Sequence, residues 1–291
     1  ITRETVEALK TLTGVNAYNI TINAVDATST TAADLNAINA LTSVPVDLVN
    51  VTALAESSLS DLDTLAAAIT DNEFSSVAGI ATLAVSDITI DASALASTID
   101  SYDEINGEST TGMTLASGAT INVDASEVSE MLDDETAGRL TISDQAITVT
   151  GEISANDARE LSETTTGLLT ATILETPIDE LRVLPLFTDN ALTIRLTDSS
   201  VDANSLIDVG FSTSLSIDAS EVTEITGEFG FIYHVYQGMK GQFLGIEDAN
   251  LAVTGDLDVF RANLLDAGTT TGTIAGTITS ETVEALKTLT G

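Results

Sequence analysis

The chain has 291 residues, and its 45 Asp and Glu against 9 Lys and Arg give a formal charge of −36. Such a field repels phosphate backbones and anionic membrane surfaces, which argues against nucleic-acid and lipid partners. No Cys is present, so disulfides, thiol catalysis and Cys-ligated metals are excluded. Hydrophobic content of 43% supports a sizeable core, but aromatics are only 4%; Ala, Val, Ile and Leu must build that core, and small uniform residues suit thin repeated layers.

Residues 1–14 read ITRETVEALKTLTG and residues 278–291 read ITSETVEALKTLTG, differing only at Arg3 and Ser280. Recurrence at a fixed offset marks a repeat architecture. The expected organisation is one period of a tandem array over 1–277, then the first helix of the next period over 278–291, as in a piece cut from something longer. Within the motif, Val6, Leu9 and Leu12 recur at helical spacing and Gly14 supplies the stop.

Further along, a strand-Asp-Ala-Ser marker recurs as ITIDAS (88–93), INVDAS (121–126) and LSIDAS (215–220), with looser VDA matches at Asp26 and Asp202. Asp or Ser ahead of an Ala/Leu run accepts the free amides of a first helical turn. A second marker, strand-Thr-Gly-acid, occurs as ITVTGE (147–152) and LAVTGD (251–256), and leads to Thr-Thr-Thr-Gly stops at Gly167 and Gly272. These signals predict helices near 2–13, 30–42, 58–70, 92–104, 124–136, 152–164, 175–184, 200–208, 218–226 and 256–266. Alternating apolar residues in MTLASGATINV (113–123) and LTISDQAITV (140–149) predict paired strands around short turns.

Residues 229–243, FGFIYHVYQGMKGQF, break the rhythm. They hold five of the eleven aromatics and no Asp or Glu, so this is where charge is thinnest. The stretch is expected to form a hairpin presenting Phe229, Phe231, Tyr233, Tyr236 and Phe243 as an interaction surface, since aromatics concentrate at interfaces. The alternative is a local insertion packing its rings on the core.

The fold class expected is therefore an α/β repeat: a solenoid-like stack of about ten strand(-strand)-helix units with a β-hairpin insertion near 229–253. A unit of one helix and one or two strands cannot bury its apolar face alone but can when stacked. The competing arrangement is two globular α+β domains with a break near 105–112.

For chemistry the residues offer little. The only His is His234, with no G-x-S-x-G elbow ahead of it; there is no phosphate-binding glycine motif. An enzyme is not expected. Asp91, Asp124 and Asp218 at strand-to-helix corners are read first as helix caps. The second reading is a metal site in which Ca²⁺ bridges stacked carboxylates, so no cofactor is expected save Ca²⁺.

Taken with the long period, the strand-Asp-Ala-Ser corners and the Thr-Thr-Gly stops, the chain resembles the repeat regions of giant bacterial surface proteins, adhesin-like or sheath-like, of cyanobacterial and other marine kinds. The resemblance implies an extracellular, structural, multi-copy role. Its partners would be neighbouring copies of itself, as covalent repeats or a homopolymer. The alternative role is an adhesin segment contacting a partner or glycan through residues 229–243.

Overall fold

The computed structural model describes residues 5–24, 26, 29–77, 79–107, 111–279 and 281–290, and in them short strands alternate with short helices. The chain divides into two units, Ile1–Thr148 with Thr164–Gly167, and Val149–Glu163 with Leu168–Gly291. The expected alternative break at 105–112 is not where the division falls.

The first unit runs α1 (Val6–Leu9), α2 (Ala32–Asn39), β1 (Val46–Asp47), β2 (Ala53–Ser57), α3 (Leu59–Thr70), β3 (Phe74–Ser75), β4 (Thr82–Val85) and β5 (Thr89–Asp91). It continues with α4 (Ala92–Asn106), β6 (Gly112–Leu115), β7 (Thr120–Asp124), α5 (Val128–Thr136) and β8 (Leu140–Thr141), and β9 (Ala146–Ile153) carries the chain onward. The strand pairs β1–β3, β2–β4, β4–β6, β5–β7 and β6–β8 are all parallel. Strands β2, β4, β6 and β8 form one sheet in chain order, while β1 pairs with β3 and β5 with β7. Partners lie one helix apart: Val46 sits opposite Phe74, Thr82 opposite Gly112, and Thr89 opposite Thr120. Parallel neighbours need such a crossover, which a two-residue turn cannot supply. Strands β6 and β7, expected to pair around the turn at 116–119, therefore belong to different sheets.

In the second unit come α6 (Ala155–Thr164), β10 (Leu169–Ile173), α7 (Ile178–Leu181), β11 (Ala191–Thr193), β12 (Ser200–Asp202), α8 (Ala203–Gly210), β13 (Ile217–Asp218) and β14 (Glu224–Glu228). They are followed by α9 (Phe229–Tyr233), a π-helical turn His234–Gly238, β15 (Phe243–Leu244), β16 (Asn250–Leu257), α10 (Val259–Asp266), β17 (Ile274–Ile278) and α11 (Val283–Leu286). Again the sheet β12-β14-β16-β17 follows chain order, with β10 on β11 and β13 on β15, all parallel. The fold is thus mixed α/β with several parallel sheets and eleven α-helices, and no sheet closes into a barrel among the described residues.

Two expectations are corrected. The helix near 218–226 is replaced by a turn and β14. Residues 124–132 (DASEVSEML) and 218–226 (DASEVTEIT) are close in sequence, but only the first becomes helix. Thr223, Ile225 and Thr226 stand where Ser129, Met131 and Leu132 do, and β-branched side chains favour the pleated surface. The β-hairpin near 229–253 is also absent: residues 229–238 are helical, because Ile232, Val235 and Met239 recur at 3–4 residue spacing and are all buried.

The core is aliphatic. Leu35, Ile38, Leu62, Leu65, Leu95 and Ile99 are buried on helices, and Ile90, Ile121, Leu83 and Met113 are buried on strands. Each such side chain contributes roughly 1.5–3 kcal/mol of burial. Tyr102 is the largest buried side chain, and its hydroxyl donates to the Leu62 carbonyl at 3.2 Å.

Helix starts are tied to the segment that follows. The first amide of α1 (Val6) donates to Asp26 at 3.3 Å, that of α2 (Ala32) to Ser57 at 2.9 Å, and that of α3 (Leu59) to Asp87 at 2.8 Å. The same holds for α7, where Ile178 donates to Asp198 at 2.7 Å, and for α10, where Val259 donates to Glu281 at 3.3 Å. These amides have no partner inside their own helix, and an anion there suits the helix dipole.

Gly167 and Gly272 also act between segments. A Cβ on Gly167 would overlap the Gln145 carbonyl, and one on Gly272 the Ala249 carbonyl. The neighbouring backbones are held by bonds from Thr166 N–H to the Ser143 carbonyl (2.8 Å) and from Thr270 N–H to the Glu247 carbonyl (2.9 Å). These glycines permit close approach of two backbones rather than a left-handed helix stop.

Candidate functional site

The aspartates singled out by sequence sit at strand ends, each bonded to its own turn. Asp91 is the N-cap of α4 and accepts from the Ser93 amide at 3.1 Å. Asp124 accepts from the Ser126 amide and hydroxyl at 3.0 and 2.6 Å, but α5 starts only at Val128. Asp218 accepts from the Ser220 amide at 3.0 Å with no helix following. The hydrogen bonds from Ser93, Ser126 and Ser220 hold the three carboxyls below the ordinary Asp value. Asp202 does the same work for α8, accepting from Asn204 and Ser205 amides at 3.0 and 3.1 Å. Among the described residues no group of three or more His, Asp or Glu side chains converges in a way that could hold a metal ion. Each corner aspartate accepts from its own turn, and Asp218 also meets Arg195 at 3.5 Å.

The aromatic set predicted as an interaction surface is dispersed by the helix. Phe229 and Tyr233 stack on each other with ring centroids 5.5 Å apart, and the Arg261 guanidinium lies 5.3 Å from the Phe229 ring. Tyr236 donates its hydroxyl to the Ile246 carbonyl at 2.7 Å, and burial raises its pKa. Phe243 is buried, leaving Phe231 as the exposed ring of the five.

A different cluster emerges beside them. Phe187, Asp189, Gly210, Phe211, Met239 and Lys240 line an open groove of about 610 Å³. Phe187 is 78% exposed, packs on Phe211 with centroids 4.8 Å apart, and adopts φ +59°. Left-handed backbone is costly for a bulky residue, so the local structure must over-determine it. Its N–H donates to the Phe211 carbonyl at 2.8 Å, which pins it, and the His234 ring follows 6.5 Å from Phe211. Sequence reading missed Phe187 and Phe211. The available signal was two isolated Phe in an aromatic-poor chain, 24 residues apart, which is one inter-strand offset in this unit.

Two arginines each gather three carboxylates. Arg139 pairs with the buried Asp134, with Asp103 at 3.3 Å and with Asp100 at 3.6 Å. Burial pushes the Asp134 carboxyl up against the opposing pull of Arg139. Arg195 meets Glu175 at 2.7 Å, Glu221 at 3.3 Å and Asp218 at 3.5 Å. Both join neighbouring segments, and Asp100 and Asp134 also line a cavity of about 190 Å³ with Ser93, Ser97, Glu127 and Glu130.

No protein-family model, no characterised protein and no solved structure matches the chain. No helix among the described residues is long and apolar enough to cross a membrane.

Proposed function

We propose that the chain is a structural element of an extracellular filament, sheath or surface layer. In this reading it is a solenoid-like stack of strand-helix coils, about ten to a 277-residue period, repeated in tandem or end to end, and it is not an enzyme. What supports it is the pairing pattern: each ladder joins parallel segments one helix apart, in chain order, across both units. The acidic surface suits a salty medium that screens it.

The test is the mass of the native polypeptide under denaturing conditions, set beside electron micrographs of the native material. Assemblies built from a giant chain, or from many small ones, agree with the proposal. Discrete particles containing one 30.1 kDa chain each would end it.

A second reading, an adhesin segment, is favoured by one observation, the exposed and left-handed Phe187 over Phe211. The contact surface would then be this groove rather than a hairpin at 229–243. Glycan-array or cell-surface binding lost on Phe187→Ser, with the fold intact, would support it; unchanged binding would remove it.

A further inference from the structure

With 45 Asp and Glu against 9 Lys and Arg, a cation in this chain should find a carboxylate. Lys10, Lys287 and all five described arginines do so. Lys240 is the exception: it is exposed, and among the described residues no carboxylate pairs with it. It lines the groove of about 610 Å³ beside Phe187, and it lies in the stretch 229–243, which holds no Asp or Glu.

The groove offers two further kinds of contact. Phe187 and Phe211 line it, and His234 extends the row of rings, with successive centroids 4.8 and 6.5 Å apart. Phe187 presents most of its surface to solvent, and a Cβ on Gly210 would overlap the methyl of the buried Met239, so the groove stays open over an apolar floor. Asp189 also lines it and is exposed, and its carboxylate has no hydrogen bond or ion pair among the described residues. One ammonium, one carboxylate and a ring face are thus all left without partners in one place.

We propose that this groove binds an acidic saccharide. The C–H face of a sugar ring packs on Phe187, a uronate carboxylate pairs with Lys240, and a hydroxyl donates to Asp189. Aromatic walls with a few polar groups that fix orientation are the usual make-up of a small-ligand site, and the volume lies in the usual range of roughly 300–1,000 Å³. The three contacts together select the class. A neutral sugar leaves Lys240 without its counter-charge. Inorganic phosphate or sulfate satisfies Lys240 but gives the rings nothing to pack against. An acidic peptide supplies carboxylates without the hydroxyls that Asp189 accepts. The overall negative charge opposes any anion, so a uronate is held only where that charge is thinnest, and residues 229–243 are such a place. This deepens the second reading above, a glycan contact at this groove, and rests on it.

The test titrates the full chain, at one fixed salt concentration, with tetramers of galacturonate, glucuronate and mannuronate and with their carboxyl-reduced counterparts. At least one acid should bind saturably and about tenfold or more tighter than its reduced form, which lacks the charge-assisted bond. Lys240→Gln, at an exposed residue with no partner to lose, should erase that preference, and Phe187→Ser should weaken the acid and its reduced form alike. A reduced form bound as tightly as its acid, or a preference that survives K240Q, overturns the inference and leaves the groove a glycan site. Binding undiminished by F187S overturns it as well. No binding by any member of the panel ends both the inference and the reading it rests on. A poly-glutamate peptide that binds through Lys240 where no uronate does assigns the groove to an acidic protein and overturns the saccharide.

Discussion

Replacing Leu9 by Ala and Leu286 by Ala makes the same change in the same ten-residue sequence, so helix propensity and capping cancel in the comparison. Only the surroundings differ: Leu9 is 1% exposed and Leu286 is 42% exposed. Removing three buried carbons at about 0.8 kcal/mol each, with a cavity left behind, puts the loss at Leu9 near 3 kcal/mol. At Leu286 somewhat over half of the transfer term applies and no cavity forms in an open face, so the loss is about 1 kcal/mol. The difference of about 2 kcal/mol corresponds to roughly 30-fold in local opening. Amide hydrogen exchange reads it directly at Leu9 and Lys10, whose N–H groups donate to the Thr5 and Val6 carbonyls, against Leu286 and Lys287. Peptides for mass analysis must include position 3 or 280, the one place where the two segments can be told apart. A four-residue helix is marginal without packing, so the unsubstituted α11 should already exchange faster than α1. Equal protection in the two helices, or equal losses on substitution, would refute the claim that the following segment is what holds α1.

Arg139→Gln should cost about 3 kcal/mol by leaving Asp134 buried without its counter-charge. Because burial already raises the Asp134 pKa, the protonated form is favoured by folding. The penalty should therefore shrink as pH falls toward the ordinary Asp range and grow above it, which thermal unfolding at several pH values will show. Gly272→Ala should destabilise by about 1–3 kcal/mol because its Cβ meets the Ala249 carbonyl, while Gly230→Ala, with open space around it in α9, should be neutral or slightly stabilising; urea unfolding separates the two. Asp202→Ala should cost about 0.5–2 kcal/mol through the lost cap of α8, read by exchange at the Asn204 and Ser205 amides.

Nine of the ten expected helices were legible because their signals are local. Thr31, Ser58 and Asp258 cap α2, α3 and α10, and the Ala/Leu spacing behind them fixes the buried face. The tenth failed where the cap signal was the same and the following residues were β-branched, so the corner at Asp218 predicted its turn but not what the turn led into. Residues 229–243 failed for the opposite reason. Aromatic content outweighed the Ile232, Val235, Met239 periodicity, and a π-helical turn, closed by Met239 N–H to the His234 carbonyl at 3.0 Å, lies outside both standard periods. The role of Gly167 and Gly272 was hidden because the atom each avoids lies more than twenty residues earlier. Phe187 and Phe211 could be recognised as a pair only once the inter-strand offset was known.

The acidic bias acquires a specific use from the helix starts. Five helices leave their first amide to a side chain of the following segment, and in four of the five that side chain is Asp or Glu. An anion at that position interacts with the whole first turn as well as with one N–H, and because the bond crosses between segments it couples each to the next. A segment so built is finished only when its successor is present. In α1 the effect of such a successor is visible: Val6 and Leu9 are buried and Lys10 reaches Asp34 on α2, so the same residues that cap the helix also tie it to the segment that follows.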